Sequence, residues 1–174
     1  MYLGIDIGGT KTLIGLFSNK GTIEKKVKFK TPSEYSIFLN KLESVLSKLD
    51  LNQIKACCVA VPGKIDRKSS STIAFGNLEW GEKPIGDDIN KIIKTKVKIE
   101  NDANLAGLYE ASQVRHDFKK VLYVTISTGI GSGFIIDGVI DPSFADAEIG
   151  QILLEHDGKL QRWEDFASGK AISK

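Results

Sequence analysis

The residues of this chain best suited to chemistry open it. Met1 to Thr12 reads Met-Tyr-Leu-Gly-Ile-Asp-Ile-Gly-Gly-Thr-Lys-Thr, a short apolar run carrying one carboxylate, Asp6, and closing on Gly8, Gly9, Thr10 and Lys11. Tyr2, Leu3, Ile5 and Ile7 suit a buried strand, and paired glycines allow backbone conformations and a close ligand approach that any Cβ would obstruct. Backbone N–H groups, the Thr10 hydroxyl and the Lys11 ammonium can then face a phosphate. A Walker A loop needs Lys and Ser/Thr directly after its second glycine. After Gly4-x-x-x-x-Gly9 this chain places Thr10 first, so that register fails. What remains is a hairpin turn, either a bare glycine hairpin or one that holds phosphate. Asp6 weighs toward the second, because a strand carboxylate costs stability if buried without a partner.

A similar unit recurs. Thr128-Gly129-Ile130-Gly131-Ser132-Gly133 follows the strand-like Lys120 to Ser127 and precedes Phe134 to Asp137. Strand, glycine turn and strand at equivalent places in two half-copies is what a two-domain phosphotransferase with the nucleotide in its cleft needs. Transfer to a hydroxyl also needs a base. Asp102 is the candidate: it lies where the strand Val97 to Ile99 gives way to a helix from Ala103, at the carboxyl end of a sheet, where open α/β folds place their ligand sites. The same junction also suits a plain helix N-cap.

The elements that must position these residues follow from pattern. Met1 to Ile7, Thr12 to Phe17 and Thr22 to Phe29 predict a three-strand meander with Ser18-Asn19-Lys20-Gly21 as a turn. Thr31-Pro32-Ser33-Glu34 has Thr at N-cap, Pro at N1 and Glu at N3, and Tyr35, Phe38, Leu39, Leu42, Val45, Leu46 and Leu49 recur at helical spacing. Ile54 to Val61 reads as a strand covered on both faces, stopped by Pro62-Gly63. A polar, serine-rich excursion leads to a helix around Ile85 to Ile93, then the Val97 strand and a helix over Ala103 to Ser112. The order is βββαβαβα. It restarts with strands over Lys120 to Ser127, Phe134 to Asp137 and Ile149 to Leu154 and a helix over Trp163 to Ile172, a βββα whose continuation has no counterpart before Lys174. Three strands under one helix leave a sheet edge and much of one face without cover, which calls for a second copy of the chain as a homodimer or leaves fast amide exchange from about Lys120 onward.

Composition bounds the function. The chain has 174 residues, 41% hydrophobic and 26% charged, as in an ordinary water-soluble domain. A formal net charge of +2 gives no argument for nucleic acid, and Lys25, Lys26, Lys28 and Lys30 alternate with apolar residues as on a half-exposed strand. Cys57 and Cys58 are adjacent, so they form neither a disulfide framework nor a spaced zinc knuckle. No apolar segment approaches the roughly 18 residues of a membrane span, and no basic leader precedes the first strand, which points to the cytoplasm.

The ordered set of motifs resembles the N-terminal and early C-terminal parts of a bacterial ROK-family (repressor, open reading frame, kinase) sugar kinase. Asp6-Ile7-Gly8-Gly9-Thr10-Lys11 resembles the first phosphate motif and Thr128-Gly129-Ile130-Gly131 the second. Val61-Pro62-Gly63 and Asn77-Leu78-Glu79-Trp80 resemble sugar-side loops, and Asn101-Asp102-Ala103-Asn104 the catalytic segment. Glu148-Ile149-Gly150 matches the start of Glu-x-Gly-His, and Trp163 to Gly169 resembles Leu-Glu-x-x-x-Ser-Gly.

The resemblance implies an actin-like ATPase fold of duplicated ribonuclease-H-like domains, with residues 1–118 as the first and 119–174 as an incomplete second. It implies ATP-dependent, glucokinase-like phosphorylation of a hexose or amino-sugar hydroxyl. Asp102 would be the base; Asn101, Glu148, Glu164, Gly63, Asn77 and Gln151 would face the sugar; Asp6, Gly8, Gly9, Thr10, Lys11, Thr128 and Gly129 would face ATP. Asp6 would orient the Mg2+ of Mg-ATP through water. Two departures stand out. Gln151 replaces the family's His, and Glu155 to Arg162 replaces its cysteine-rich zinc loop, so no zinc is expected, since structural zinc ordinarily takes four ligands. Family members also run on for about another hundred residues. A non-catalytic sugar-binding or interaction protein of the same family is the alternative. The repressor branch carries a helix-turn-helix ahead of its first phosphate motif, whereas Met1 here begins the strand.

Overall fold

The computed structural model describes residues 1–76 and 78–173. Its chain packs as two compact units, Met1–Asp102 and Ala103–Lys174. In the first, the alternation of apolar and polar residues in β1 (Tyr2–Ile7), β2 (Lys11–Phe17) and β3 (Ile23–Lys30) builds an antiparallel meander. Two parallel strands, β4 (Ala56–Val61) and β7 (Val97–Asn101), extend it to a five-stranded sheet ordered β3-β2-β1-β4-β7. Leu3, Ile5 and Ile7, with Ile14, Leu16, Cys57, Val59 and Val61, face one side of that sheet. There they meet Phe38, Leu42 and Leu46 of α1 (Tyr35–Leu46) and Ile85, Ile89 and Ile93 of α2 (Ile85–Ile93). Period-two strands packed on helices with apolar residues every third or fourth position are the two patterns that one buried face permits.

The opposite face of the sheet is only partly closed. Cys58 is exposed where the pattern predicts a strand covered on both sides, while Cys57 is buried and its thiol pushed up to about 12 by loss of solvation. The polar excursion is itself structured, as a hairpin of β5 (Lys64–Asp66) and β6 (Ser71–Ala74). Its signal was hidden because short strands held by a turn of serines carry little apolar periodicity.

The expected capping box is absent. α1 starts at Tyr35, with Glu34 at its N-cap and no side-chain cap bond. The Thr31 hydroxyl is instead buried between two tertiary partners, the Thr12 hydroxyl at 2.9 Å and the Gly8 carbonyl at 2.7 Å. Two tertiary partners, Thr12 among them fully buried, outweigh one N–H group at a helix end.

In the second unit, β8 (Lys120–Ile126), β9 (Ile130–Ile136) and the two-residue β10 (Val139–Ile140) form an antiparallel sheet ordered β10-β9-β8. α3 (Asp102–Gln113) lies against it, and glycines set the distance: a Cβ on Gly133 would stand 3.0 Å from the Ala103 carbonyl, and one on Gly107 2.9 Å from both Tyr123 and Ile135. The expected third strand over Ile149 to Leu154 does not exist. Ile149–Gln151 is a single 3-10 turn, and β11 (Leu153–His156) pairs only with β12 (Lys159–Arg162) in a separate hairpin. The expected helix over Trp163 to Ile172 is likewise two short ones, α4 (Trp163–Ala167) and α5 (Gly169–Ile172). Ser168 is extended between them, and its hydroxyl caps α5 by accepting from the Ala171 N–H at 3.2 Å. No helix among the described residues is long and apolar enough to cross a membrane.

Candidate active site

The first glycine turn joins β1 to β2. Gly8 N–H donates to the Lys11 carbonyl at 3.0 Å, and a Cβ on Gly8 would press on that carbonyl at 3.1 Å. Neither Gly8 nor Gly9 is left-handed, so close approach, not unusual φ, selects Gly8. Thr31 N–H donates to the Thr10 carbonyl at 3.1 Å and its hydroxyl holds Gly8, so the turn is anchored on both sides by the end of β3. Thr12 and Thr31 are the residues that sequence reasoning missed here. A pocket of about 610 Å³ beside the turn is lined by Gly9, Lys30, Thr31, Pro32, Ser33, Leu78 and Glu79.

Asp6 pairs with Leu13 across the hairpin, on the sheet face away from Leu3, Ile5 and Ile7. Asp102, the first residue of α3, follows β7 directly and is exposed. The two carboxylates are neighbours: the Asp6 carboxyl is held above its ordinary value by lost solvation and by the charge of Asp102, with Lys11 pulling the other way. Asn101 closes the same end of the sheet, its Nδ2 donating to the Gly63 carbonyl at 3.1 Å. The structure thus brings Asp6, the glycine turn and Lys11, Asp102, Asn101 and Gly63 together within one unit.

Two supports were not legible. Arg67, from the β5–β6 hairpin, forks onto Glu100 of β7 with Nε to Oε2 at 2.9 Å and Nη2 to Oε1 at 2.6 Å, and Glu100 Oε1 accepts from Asn101 N–H at 2.9 Å. A planar guanidinium on a carboxylate fixes geometry as well as charge. Gly63 has a structural duty of its own, since its φ is +94° and a Cβ would lie 2.6 Å from Gly76 N. Asn77 lies outside the described residues. Its neighbours are anchored: Leu78 and Trp80 are buried, and the Trp80 indole N–H donates to the Ser33 carbonyl at 2.8 Å.

The second unit gathers the remaining candidates. Ser127 N–H donates to the Gly129 carbonyl at 2.8 Å, closing the turn that carries Thr128 and Gly129. Ile149 and Gly150 dock on the start of β9, where a Cβ on Gly150 would collide with the Ile130 carbonyl, and this seats the exposed Glu148 and Gln151 on either side. Gln151 Nε2 donates to Glu164 Oε1, and Glu164 Oε2 accepts from Ile130 N–H at 3.4 Å. A Cβ on Gly129 would stand 2.8 Å from that same oxygen. Glu164 therefore covers the second glycine turn. Among the described residues no group of three or more His, Cys, Asp or Glu is arranged to hold a metal ion.

The sequence pattern of the ROK family matches residues 2–174. A glucokinase from Streptomyces coelicolor is 29% identical over 183 residues, which cover 99% of this chain and 57% of that protein. An N-acetyl-D-glucosamine kinase from Salmonella arizonae is 27% identical over 172 residues, covering 95% of this chain and 57% of that one. A ROK family glucokinase from Streptomyces griseus, solved in complex with glucose and AMPPNP, superposes with a TM-score of 0.82 at 27% identity, over 98% of this chain and 58% of that one. The chain spans somewhat over half the length of the relatives it matches.

Proposed function

The chain belongs to the ROK family, and from that premise we propose that it provides the catalytic carboxylate and the first phosphate turn of an ATP-dependent sugar kinase acting on a hexose or amino sugar. The observation that carries this reading is the register of β1, β4 and β7, which sets Asp6, beside the Gly8–Lys11 turn, at the same sheet end as Asp102, whose charge it feels. Two neighbouring carboxylates at the carboxyl ends of β1 and β7 are costly to the fold and useful to phosphoryl transfer.

In the proposed reaction the sugar hydroxyl oxygen attacks the terminal phosphorus, the bond to the bridging oxygen breaks, and ADP leaves. Asp102 accepts the hydroxyl proton. Asn101 and Gly63 orient the sugar from the same unit; for Glu148, Gln151 and Glu164 the family resemblance implies hydrogen bonds to sugar hydroxyls. Gly8, Gly9, Thr10 and Lys11 receive phosphate oxygens, and Thr128 with Gly129 gives a second phosphate contact. Asp6 would suit water-mediated contact with the magnesium that accompanies ATP, because magnesium keeps much of its hydration shell. The ion would supply charge neutralisation of the phosphates.

The test is Asp102→Asn in a coupled ADP-release assay with glucose and with N-acetylglucosamine. Asp102 is exposed, so the variant should fold. Its turnover should fall by about 100- to 10,000-fold. Near-parent turnover in Asp102→Asn rejects the base, and a parent chain without transfer to either sugar rejects the activity for this chain.

A further inference from the structure

Arg162 is an unusual residue for its place. It ends β12 and is the N-cap of α4, where a cation opposes the helix dipole, and its side chain gives no cap bond. Its guanidinium goes elsewhere. Nε and Nη2 donate to Asp165 Oδ2 at 3.0 Å and Oδ1 at 3.1 Å, and Nη1 donates to Gln151 Oε1 at 3.1 Å. Gln151 then spends an N–H on Glu164 Oε1, and Glu164 Oε2 receives the Ile130 N–H.

The chemical types in this chain permit one arrangement. A guanidinium only donates and a carboxylate only accepts. Turning the Gln151 amide over would set its NH2 against Arg162 and its oxygen against Glu164, two repulsive contacts in place of two hydrogen bonds. Arg162 thereby decides which end of the amide faces Glu164.

We propose that Arg162 is a positioning residue for sugar recognition, fixing the Gln151 amide so that Gln151 and Glu164 read two neighbouring hydroxyls, one as acceptor and one as donor. This rests on the sugar-kinase reading above. With its oxygen on Arg162 and one N–H on Glu164, Gln151 retains one N–H to give, while Glu164 retains lone pairs to receive. A vicinal diol complements that pair. The Arg162 and Asp165 side chains are 52% and 42% exposed, and ion pairs so open to water add little stability. The product of the network is orientation, and Arg162→Lys, which keeps the charge and loses the fork, should not replace it.

Arg162→Ala, Arg162→Lys and the parent chain decide the matter with three readouts. These are the Gln151 side-chain amide signals by NMR, sugar binding followed through the adjacent Trp163 fluorescence with glucose and N-acetylglucosamine, and thermal melting. In both variants the Gln151 amide signals should move toward those of a free amide and the sugar dissociation constant should rise roughly tenfold, as expected for one lost oriented hydrogen bond. Melting should barely change. Unmoved Gln151 signals overturn the positioning role whatever the sugar data show, and moved signals with unchanged sugar affinity overturn its part in recognition. A parent chain that binds neither sugar, with Gln151 signals that move in the variants, overturns the sugar-kinase reading and leaves the positioning of Gln151 by Arg162 standing.

Discussion

Asp6 shows at the scale of a single residue how a candidate site opposes the stability of its fold. Its folded-state pKa lies above the ordinary carboxylate value of 3.8 because of lost solvation and the nearby charge of Asp102. The folded chain then binds a proton more readily than the unfolded chain, so stability falls as pH rises from that ordinary value through the raised one, and the loss is complete above the raised one. Asp6→Asn removes the charge. It should raise the melting temperature at neutral pH, and the gain should disappear in acid below the ordinary value, where both states of the parent are protonated. Melting curves of parent and variant across that range check this, and a gain that persists unchanged into acid would contradict it. The sequence marked Asp6 and Asp102 because a carboxylate within an apolar strand and one at a strand-to-helix junction stand out against their neighbours. Arg67 and Glu100 did not stand out. An arginine in a polar loop and a glutamate on an alternating strand look like ordinary surface until the fold brings them together.

Among the elements, long periodic segments were legible and local hydrogen-bond choices were not. The strands β1 and β2 and the helices α1 and α2 follow from apolar spacing, since each has a buried face. Lys25, Lys26, Lys28 and Lys30 fit the edge position of β3, where charge discourages pairing with another chain. After Ile140 the elements are three to five residues long, and too few side chains repeat to separate a strand from a turn. Thr31 is the instructive failure. Its sequence context fits an N-cap, yet a buried hydroxyl pair with Thr12 and a bond to Gly8 take precedence. Thr31→Val keeps the shape and strands both partners, so it should destabilise the chain by about 1–3 kcal/mol in chemical denaturation. Thr31→Ser should recover most of that. Further along, the β11–β12 hairpin leans on α4 through His156 stacked on Phe166, ring centroids 4.3 Å apart, and through the Arg162 bonds to Asp165. We expect no bound zinc by elemental analysis of untagged protein, and no change in melting on addition of a chelator. One zinc per chain surviving dialysis against chelator would mean that this hairpin is built differently.

For the molecule as a whole the consequential surface is on β8, an edge strand of the second unit's sheet. Alternation gives β8 two faces. Tyr123 packs toward Gly107 of α3, whereas Leu122, Val124 and Ile126 stand 56%, 37% and 56% exposed on the other side. Scattered exposed apolar residues are normal, but three in a row beside an open strand edge combine uncovered hydrocarbon with unpaired backbone groups. Covering such a row is favourable by about 25 cal/mol for each Å² removed from water. A second copy of the same chain can supply both the cover and the strand pairing. The 174-residue chain should therefore show an apparent mass in light scattering that rises with concentration. Leu122→Thr with Val124→Thr keeps strand propensity while replacing hydrocarbon with hydroxyls, and should shift the sample toward monomer without loss of secondary structure. In hydrogen exchange the β8 amides of the parent should become better protected as concentration rises, and those of the double variant should not. A parent chain that stays monomeric at every concentration, with β8 amides as well protected as those of β9, would show that this edge needs no partner.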